Sequence, residues 1–167
     1  MDVLTLIFIF ILGTAIGSFL NVLVDRLPQE HSIMGRSHCD HCHKTLEAID
    51  LIPVLSFAVF GGRCRRCQQK LSWQYPVSEL ITGAVFLLVF LFVGPAPITI
   101  TALIMKLGYL VVFSSILVIL FADIKYQIIP DSMQLSLLAG FVIVKGALYW
   151  PNIWYIVTGK QIGRAHV

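Results

Sequence analysis

Four cysteines and two aspartates are the residues of this chain whose types and spacing best suit chemistry. Cys39-Asp40-His41-Cys42 and Cys64-Arg65-Arg66-Cys67 are two C-x-x-C units with 21 residues between them. A C-x-x-C turn can aim two sulfurs at one metal, and two such turns complete a tetrahedral four-thiolate site. The spacing is close to that of a zinc ribbon. Four thiolates leave no open position, so the zinc expected on Cys39, Cys42, Cys64 and Cys67 is structural. Arg63, Arg65, Arg66 and Lys70 lie nearby in sequence and favour the thiolate form that metal binding requires. Two disulfides or unligated thiols are the other readings, and a cytoplasmic location argues against disulfides. His38, His41 and His43 could each replace a ligand, although four cysteines suffice.

Asp123 and Asp131 bracket the segment Asp123-Ile124-Lys125-Tyr126-Gln127-Ile128-Ile129-Pro130-Asp131. Apolar runs long enough to span a bilayer lie on both sides of it. A carboxylate at the end of an apolar helix is costly to keep charged, so its presence asks for a reason. One reason is plain: Asp131, after Pro130, suits a helix N-cap, and Asp123 could reach into water. The other is that one of these carboxylates reacts.

The elements that must hold these residues are membrane helices. The chain has 167 residues, is 57% apolar and 13% charged, against about 25% charged in a soluble domain. Its apolar residues come in unbroken blocks, which predicts an all-α integral membrane protein with about four spans. The first runs from Leu4 to Val24 and reads as a retained helix, because no basic residue precedes it and no small-residue cleavage site ends it. Gly13 and Gly17, four apart, would let another helix approach closely; ordinary glycine content explains them equally well. The second span is expected over Val77–Val93, with Glu79 in its first turn as a dipole-compensating acid. Gly94–Pro97 forms a turn, Ile98–Ala122 the third span and Ser132–Trp150 the fourth. Lys106 is placed to snorkel, and Lys145, Tyr149 and Trp150 to anchor at an interface.

Residues 25–75 differ in character, with seven Lys/Arg and four of the five histidines. The positive-inside rule puts this loop and the 123–131 turn in the cytoplasm, with the N-terminus and Gly94–Pro97 outside. Leu51–Phe60 is apolar but too short to span. It either lies on the membrane surface or packs on the small domain around it. About 50 residues make too little core to fold alone, so metal would supply much of the loop's stability. The formal charge of +3 is too small to argue for nucleic acid as a partner.

Gly17-Ser18-Phe19-Leu20-Asn21-Val22-Leu23-Val24-Asp25-Arg26-Leu27-Pro28 resembles the first-helix motif of the bacterial type IV prepilin peptidases. The two C-x-x-C pairs, Leu51-Ile52-Pro53-Val54-Leu55-Ser56 and Tyr75-Pro76-Val77-Ser78-Glu79-Leu80 follow in that family's order. Asp123 with Ile129-Pro130-Asp131 resembles the first of its two active-site motifs. The resemblance implies an aspartic endopeptidase of the bacterial inner membrane. It would remove the short basic leader from prepilins or pseudopilins on the cytoplasmic side. Many members also methylate the new N-terminus, with S-adenosylmethionine as methyl donor. Asp123 carries over as one catalytic carboxylate, and Asp131 is left with the capping role.

The sequence departs from that family in one respect. The second aspartate belongs to a later Gly-x-Gly-Asp motif, and no such motif occurs here. The expectation is therefore a chain holding the N-terminal part of the enzyme, with half a catalytic pair and no cleavage of its own. It divides into a first helix (1–24), a zinc-binding loop (25–75) and the later spans that begin the peptidase domain (76–160). Residues 161–167 read as a non-native tail, since Ile-Gly-Arg-Ala-His-Val is one reading frame of a common sequencing adapter. The alternative function is a membrane scaffold or assembly module that uses the zinc domain for docking.

Overall fold

The computed structural model describes residues 2–39, 41–93 and 99–158, with 150–158 by backbone alone. Among the described residues five α-helices follow in order: α1 (Val3–Arg26), the short α2 (Leu55–Val59), α3 (Gln74–Phe92), α4 (Ile100–Tyr126) and α5 (Asp131–Thr158). All but α2 are long and apolar enough to cross a membrane. Large apolar side chains such as Leu4, Phe8, Phe92, Leu138 and Phe141 are exposed on their outer faces, which suits lipid rather than water as the surrounding medium. The cysteine-bearing loop lies between the first two spans. Among the described residues its extended pairing amounts to two isolated bridges, His38 with Thr45 and Arg63 with Lys70.

The spans form two close antiparallel pairs. Along α1 and α3 the contacts step four residues up one helix and four down the other. A methyl at Gly13 would lie 2.8 Å from Gly83 Cα, and one at Gly17 would lie 2.8 Å from Glu79 Cα. Asn21 Nδ2 then donates to Tyr75 O at 3.3 Å. The sequence reading that Gly13 and Gly17 admit a neighbouring helix is therefore met by α3. The α4–α5 pair is drawn together in the same way around Gly108, whose added Cβ would meet Val144 Cγ2 at 2.7 Å. Between the pairs the packing is by side chains: Leu20 and Val24 from α1 meet Val118 and Phe121 from α4.

Several helix bounds differ from the sequence reading. α3 starts at Gln74, not Val77, because Tyr75-Pro76 fits the first turn, where a proline loses no needed N–H. Glu79 is thus the sixth residue of the helix and is buried, so it is not a first-turn acid. α4 continues past Ala122 to Tyr126 and ends where Gln127 turns left-handed at φ 55°. Asp123 therefore lies inside the last helical turn and not in a connecting loop. α5 begins at Asp131, and its first backbone bonds run from Met133 and Gln134 to Pro130 O. Asp131 sits one residue inside the cap position and takes its bond from the Gln134 side chain at 3.4 Å.

α5 also runs on through Pro151 to Thr158, beyond the end expected at Trp150; a long helix can absorb one proline as a local kink. Lys106 is buried, with Nζ 5.6 Å from the Phe90 ring centroid on α3, and does not extend toward water. The Gly94–Pro97 turn, the Trp150 side chain and the 161–167 tail lie outside the described residues.

Candidate functional site

Each cysteine pair is built on the same local plan. Cys39 N–H donates to Lys44 O at 3.0 Å and His43 N–H to Cys39 O at 2.8 Å; Cys64 N–H donates to Gln69 O and Gln68 N–H to Cys64 O, both at 2.9 Å. The residue after each second cysteine is left-handed, His43 at φ 54° and Gln68 at φ 60°. That turn folds the two sulfurs of each unit to one side. All four Sγ atoms lie within 4.8 Å of one another, and Cys39 Sγ is 3.8 Å from Cys67 Sγ. A tetrahedral ion with Zn–S bonds of about 2.3 Å holds its sulfurs about 3.8 Å apart, whereas a disulfide needs about 2.05 Å. The four cysteines are therefore arranged to hold a metal.

Electrostatics prepare part of that site. Hydrogen bonds from the backbone N–H groups of Cys67 and Arg66 hold the Cys64 thiol down at about 7. The Gln69 N–H pulls Cys67 the same way, but burial and the neighbouring sulfurs outweigh it and push that thiol up to about 11. Of these two thiols, Cys64 is the one whose surroundings favour the thiolate. Arg65 and Arg66 turn away toward acids: Arg65 Nη2 pairs with Glu47 at 2.5 Å, Arg66 also pairs with Glu47, and Arg65 Nε faces Asp50 Oδ1 at 3.4 Å. They tie the second cysteine unit to the 47–50 turn, a role their sequence position did not reveal.

Among the described residues, Arg26 and Glu79 each fasten the loop to the bundle. Arg26, at the end of α1, gives Nη1 to the carbonyls of Ser32, Ile33 and Met34 at 3.0–3.2 Å and Nη2 to that of Arg36 at 3.2 Å. Glu79 Oε2 accepts the Val54 N–H at 2.7 Å, and the Ser18 side chain bonds the same carboxyl. Val54 is held at φ 59°, an unusual conformation for a β-branched residue. The apolar Leu51–Phe60 segment, which contains α2 and follows a 3-10 turn at 48–51, packs on that turn of its own loop and is tied to α3 through this bond.

Between loop and bundle lies a cleft of about 460 Å³, lined by Asn21, Asp25, Tyr75, Glu79, Lys125 and Tyr126 among others. Asp25 joins three helices there. Its Oδ2 accepts the Tyr75 hydroxyl at 3.0 Å, and its Oδ1 accepts Lys125 Nζ at 2.6 Å and the Tyr126 hydroxyl at 3.3 Å. Ser78 bonds both Asn21 Oδ1 at 2.6 Å and Tyr75 O at 2.8 Å behind it. Asp123 and Asp131 are exposed and do not line the cleft. The structure thus gathers Asp25 and Glu79 into the cleft and leaves Asp123 on the outside of the same α4 turn. The sequence signal for Asp25 was its position after an apolar run, the same signal that marks Asp123.

Residues 11–93 match the bacterial peptidase A24 N-terminal domain. The chain is 36% identical over 152 residues to the prepilin leader peptidase/N-methyltransferase of Klebsiella pneumoniae, covering 86% of this chain and 64% of that one. It is 34% identical over 149 residues to the Bacillus subtilis protein of the same name, covering 88% and 56%. The Myxococcus xanthus protein is 34% identical over 146 residues, covering 82% and 39%. The chain thus spans less than two thirds of the length of these relatives. No solved structure matches it.

Proposed function

Because the chain belongs to the bacterial A24 family of prepilin leader peptidase/N-methyltransferases, we propose that it serves a membrane aspartic endopeptidase. The substrate would be a type IV prepilin or pseudopilin, cut at the junction between its leader and its apolar N-terminal helix. Asp123 supplies one of two catalytic carboxylates. The observation that carries this reading is the place of Asp123. It is exposed in the last turn of a membrane-length helix, on the same side of the bundle as the cysteine loop. A scissile bond just outside an apolar helix would meet a carboxylate at that level.

The chemistry asks for two carboxylates that share a proton, since neighbouring like charges cannot both ionise easily. The ionised one takes a proton from water as the water attacks the carbonyl. The protonated one hydrogen-bonds the carbonyl oxygen and then supplies the leaving amine's proton. The sequence has no Gly-x-Gly-Asp segment, so the proposal assigns Asp123 one member of the pair. We assign Asp123 and the loop to the cytoplasmic side of the bacterial inner membrane, an orientation that the positive-inside bias supports.

Zinc is the metal we assign to Cys39, Cys42, Cys64 and Cys67. Its role is structural, because four thiolates close the coordination shell. The names of the relatives add N-methylation, for which S-adenosylmethionine would supply the methyl group.

The test is cleavage of a matched prepilin in membranes by the full-length gene product, normalised to the amount of enzyme. Asp123→Asn should abolish cleavage and leave zinc content and membrane insertion intact. Asp131→Asn should keep substantial activity, because Asp131 is a first-turn helix acid worth about 1 kcal/mol at most. Normal cleavage by Asp123→Asn would take the catalytic role away from Asp123, and no cleavage by the unsubstituted protein would support the scaffold reading instead.

A further inference from the structure

The two helix pairs differ in how they are joined. Within each pair, glycines bring backbones together; between pairs, contact depends on the side chains of Leu20, Val24, Val118 and Phe121. Side chains in a membrane interior slide more readily than backbones interlocked at glycine, because lipid tails replace their contacts at little cost. Something must therefore set the rotation and height of the α4 end relative to α1 and α3.

Asp25 stands at that end of the interface. Its carboxylate takes one hydroxyl from α3 (Tyr75, 3.0 Å) and two donors from α4 (Lys125, 2.6 Å; Tyr126, 3.3 Å). Lys125 Nζ also lies 5.7 Å from the Tyr75 ring centroid and 5.1 Å from that of Tyr126, within cation–π range. Lys125 and Tyr126 share the last turn of α4 with Asp123, whose carbonyl accepts the Gln127 N–H at 2.9 Å to close the helix. Turning or lifting α4 to move Asp123 would break these bonds together. Partly exposed ion pairs add little stability, but three donors from two helices on one carboxylate specify a geometry.

We propose that Asp25 is a positioning residue for peptide cleavage: by clamping Lys125 and Tyr126 it fixes where Asp123 presents its carboxylate. The proposal rests on the reading that Asp123 reacts. It makes the α1–α4 clamp a requirement for turnover and not for folding. Small misplacement of a reacting group costs rate steeply, on the order of 100-fold for 1 Å.

The experiment uses the full-length protein in membranes with a matched prepilin, comparing Asp25→Asn, Asp25→Lys, Lys125→Asp, the exchanged pair Asp25→Lys with Lys125→Asp, and Asp123→Asn. Spin labels at the exposed positions Phe19 on α1 and Leu120 on α4 read the helix separation independently of activity. Asp25→Asn should lower kcat about 10-fold or more, with KM within about 2-fold and zinc content unchanged. It should also broaden the label-to-label distance distribution. The exchanged pair should recover more kcat than either single charge change. Wild-type kcat in Asp25→Asn beside a dead Asp123→Asn would overturn the clamp and spare the cleavage reading. A loss confined to KM or to the amount of folded protein would overturn it as well. An active Asp123→Asn would bring down the assignment of Asp123 as a reacting carboxylate and the clamp with it.

Discussion

Replacing Glu79 with alanine tests how the cysteine loop is held on the bundle. Glu79 is buried at 7% exposure, and its carboxyl accepts the Val54 N–H at 2.7 Å. Alanine leaves that N–H without its acceptor, a cost of about 1–3 kcal/mol. Val54 is half-buried, so water reaches it in part and the lower half of that range applies. The strained φ of Val54 acts in the same direction, since a freed segment relaxes out of it. At about 1.4 kcal/mol per factor of ten, local opening of residues 52–60 should rise roughly tenfold. Glutamine retains a carbonyl acceptor, so Glu79→Gln should open the segment less than alanine does. The assay is amide hydrogen exchange of peptides covering 52–60, with peptides covering the cysteine units as internal reference. The reference peptides should hardly change, because a metal held by the four cysteines would brace that part of the loop without Glu79. Unchanged exchange at 52–60 in Glu79→Ala, or equal acceleration in the alanine and glutamine variants, would mean that the Glu79–Val54 bond does not hold the segment.

Three further outcomes are expected. Under reducing conditions the protein should carry one zinc per chain, counted by elemental analysis. Changing any one of Cys39, Cys42, Cys64 or Cys67 to serine should weaken metal retention against a chelator and speed proteolysis of the loop. Gly17→Ala places a methyl 2.8 Å from Glu79 Cα and 3.0 Å from Thr82; forcing α1 and α3 apart should cost about 1–3 kcal/mol, read as a lower unfolding midpoint in detergent. His43→Gly and Gln68→Gly remove side chains from left-handed positions. Each should raise the loop's resistance to chelator, with about 1 kcal/mol of strain removed and part of it offset by the entropy of glycine in the unfolded chain.

Much of the protein is legible from its amino acids because it depends on near neighbours. A stretch such as Leu4–Val24, uncharged and mostly apolar, must form a helix to cross lipid, since no other single segment satisfies its own backbone hydrogen bonds there. Cys39 with Cys42, and Cys64 with Cys67, are three residues apart, so the short turn itself aims each pair of sulfurs, and the sequence interval then suffices to suggest one centre. Gly13 and Gly17 show a face prepared for a close neighbour, although only the fold says that the neighbour is α3. Helix ends were less readable. Whether α4 stops at Ala122 or Tyr126 depends on what its last turn meets, and that is Asp25.

The tertiary structure decided the roles of the carboxylates. Asp25 and Lys125 lie 100 positions apart, and no local rule pairs them. Glu79 could serve as a helix-dipole acid on the evidence of its own helix; its bond to Val54 exists only because the loop folds back 25 residues to reach it. Arg65 and Arg66 could have served the thiolates but meet Glu47 and Asp50, since the loop path brings those acids closer. A polar side chain in a membrane protein is satisfied by whichever partner the packing delivers, so its type is written in the sequence while its partner is set by the fold.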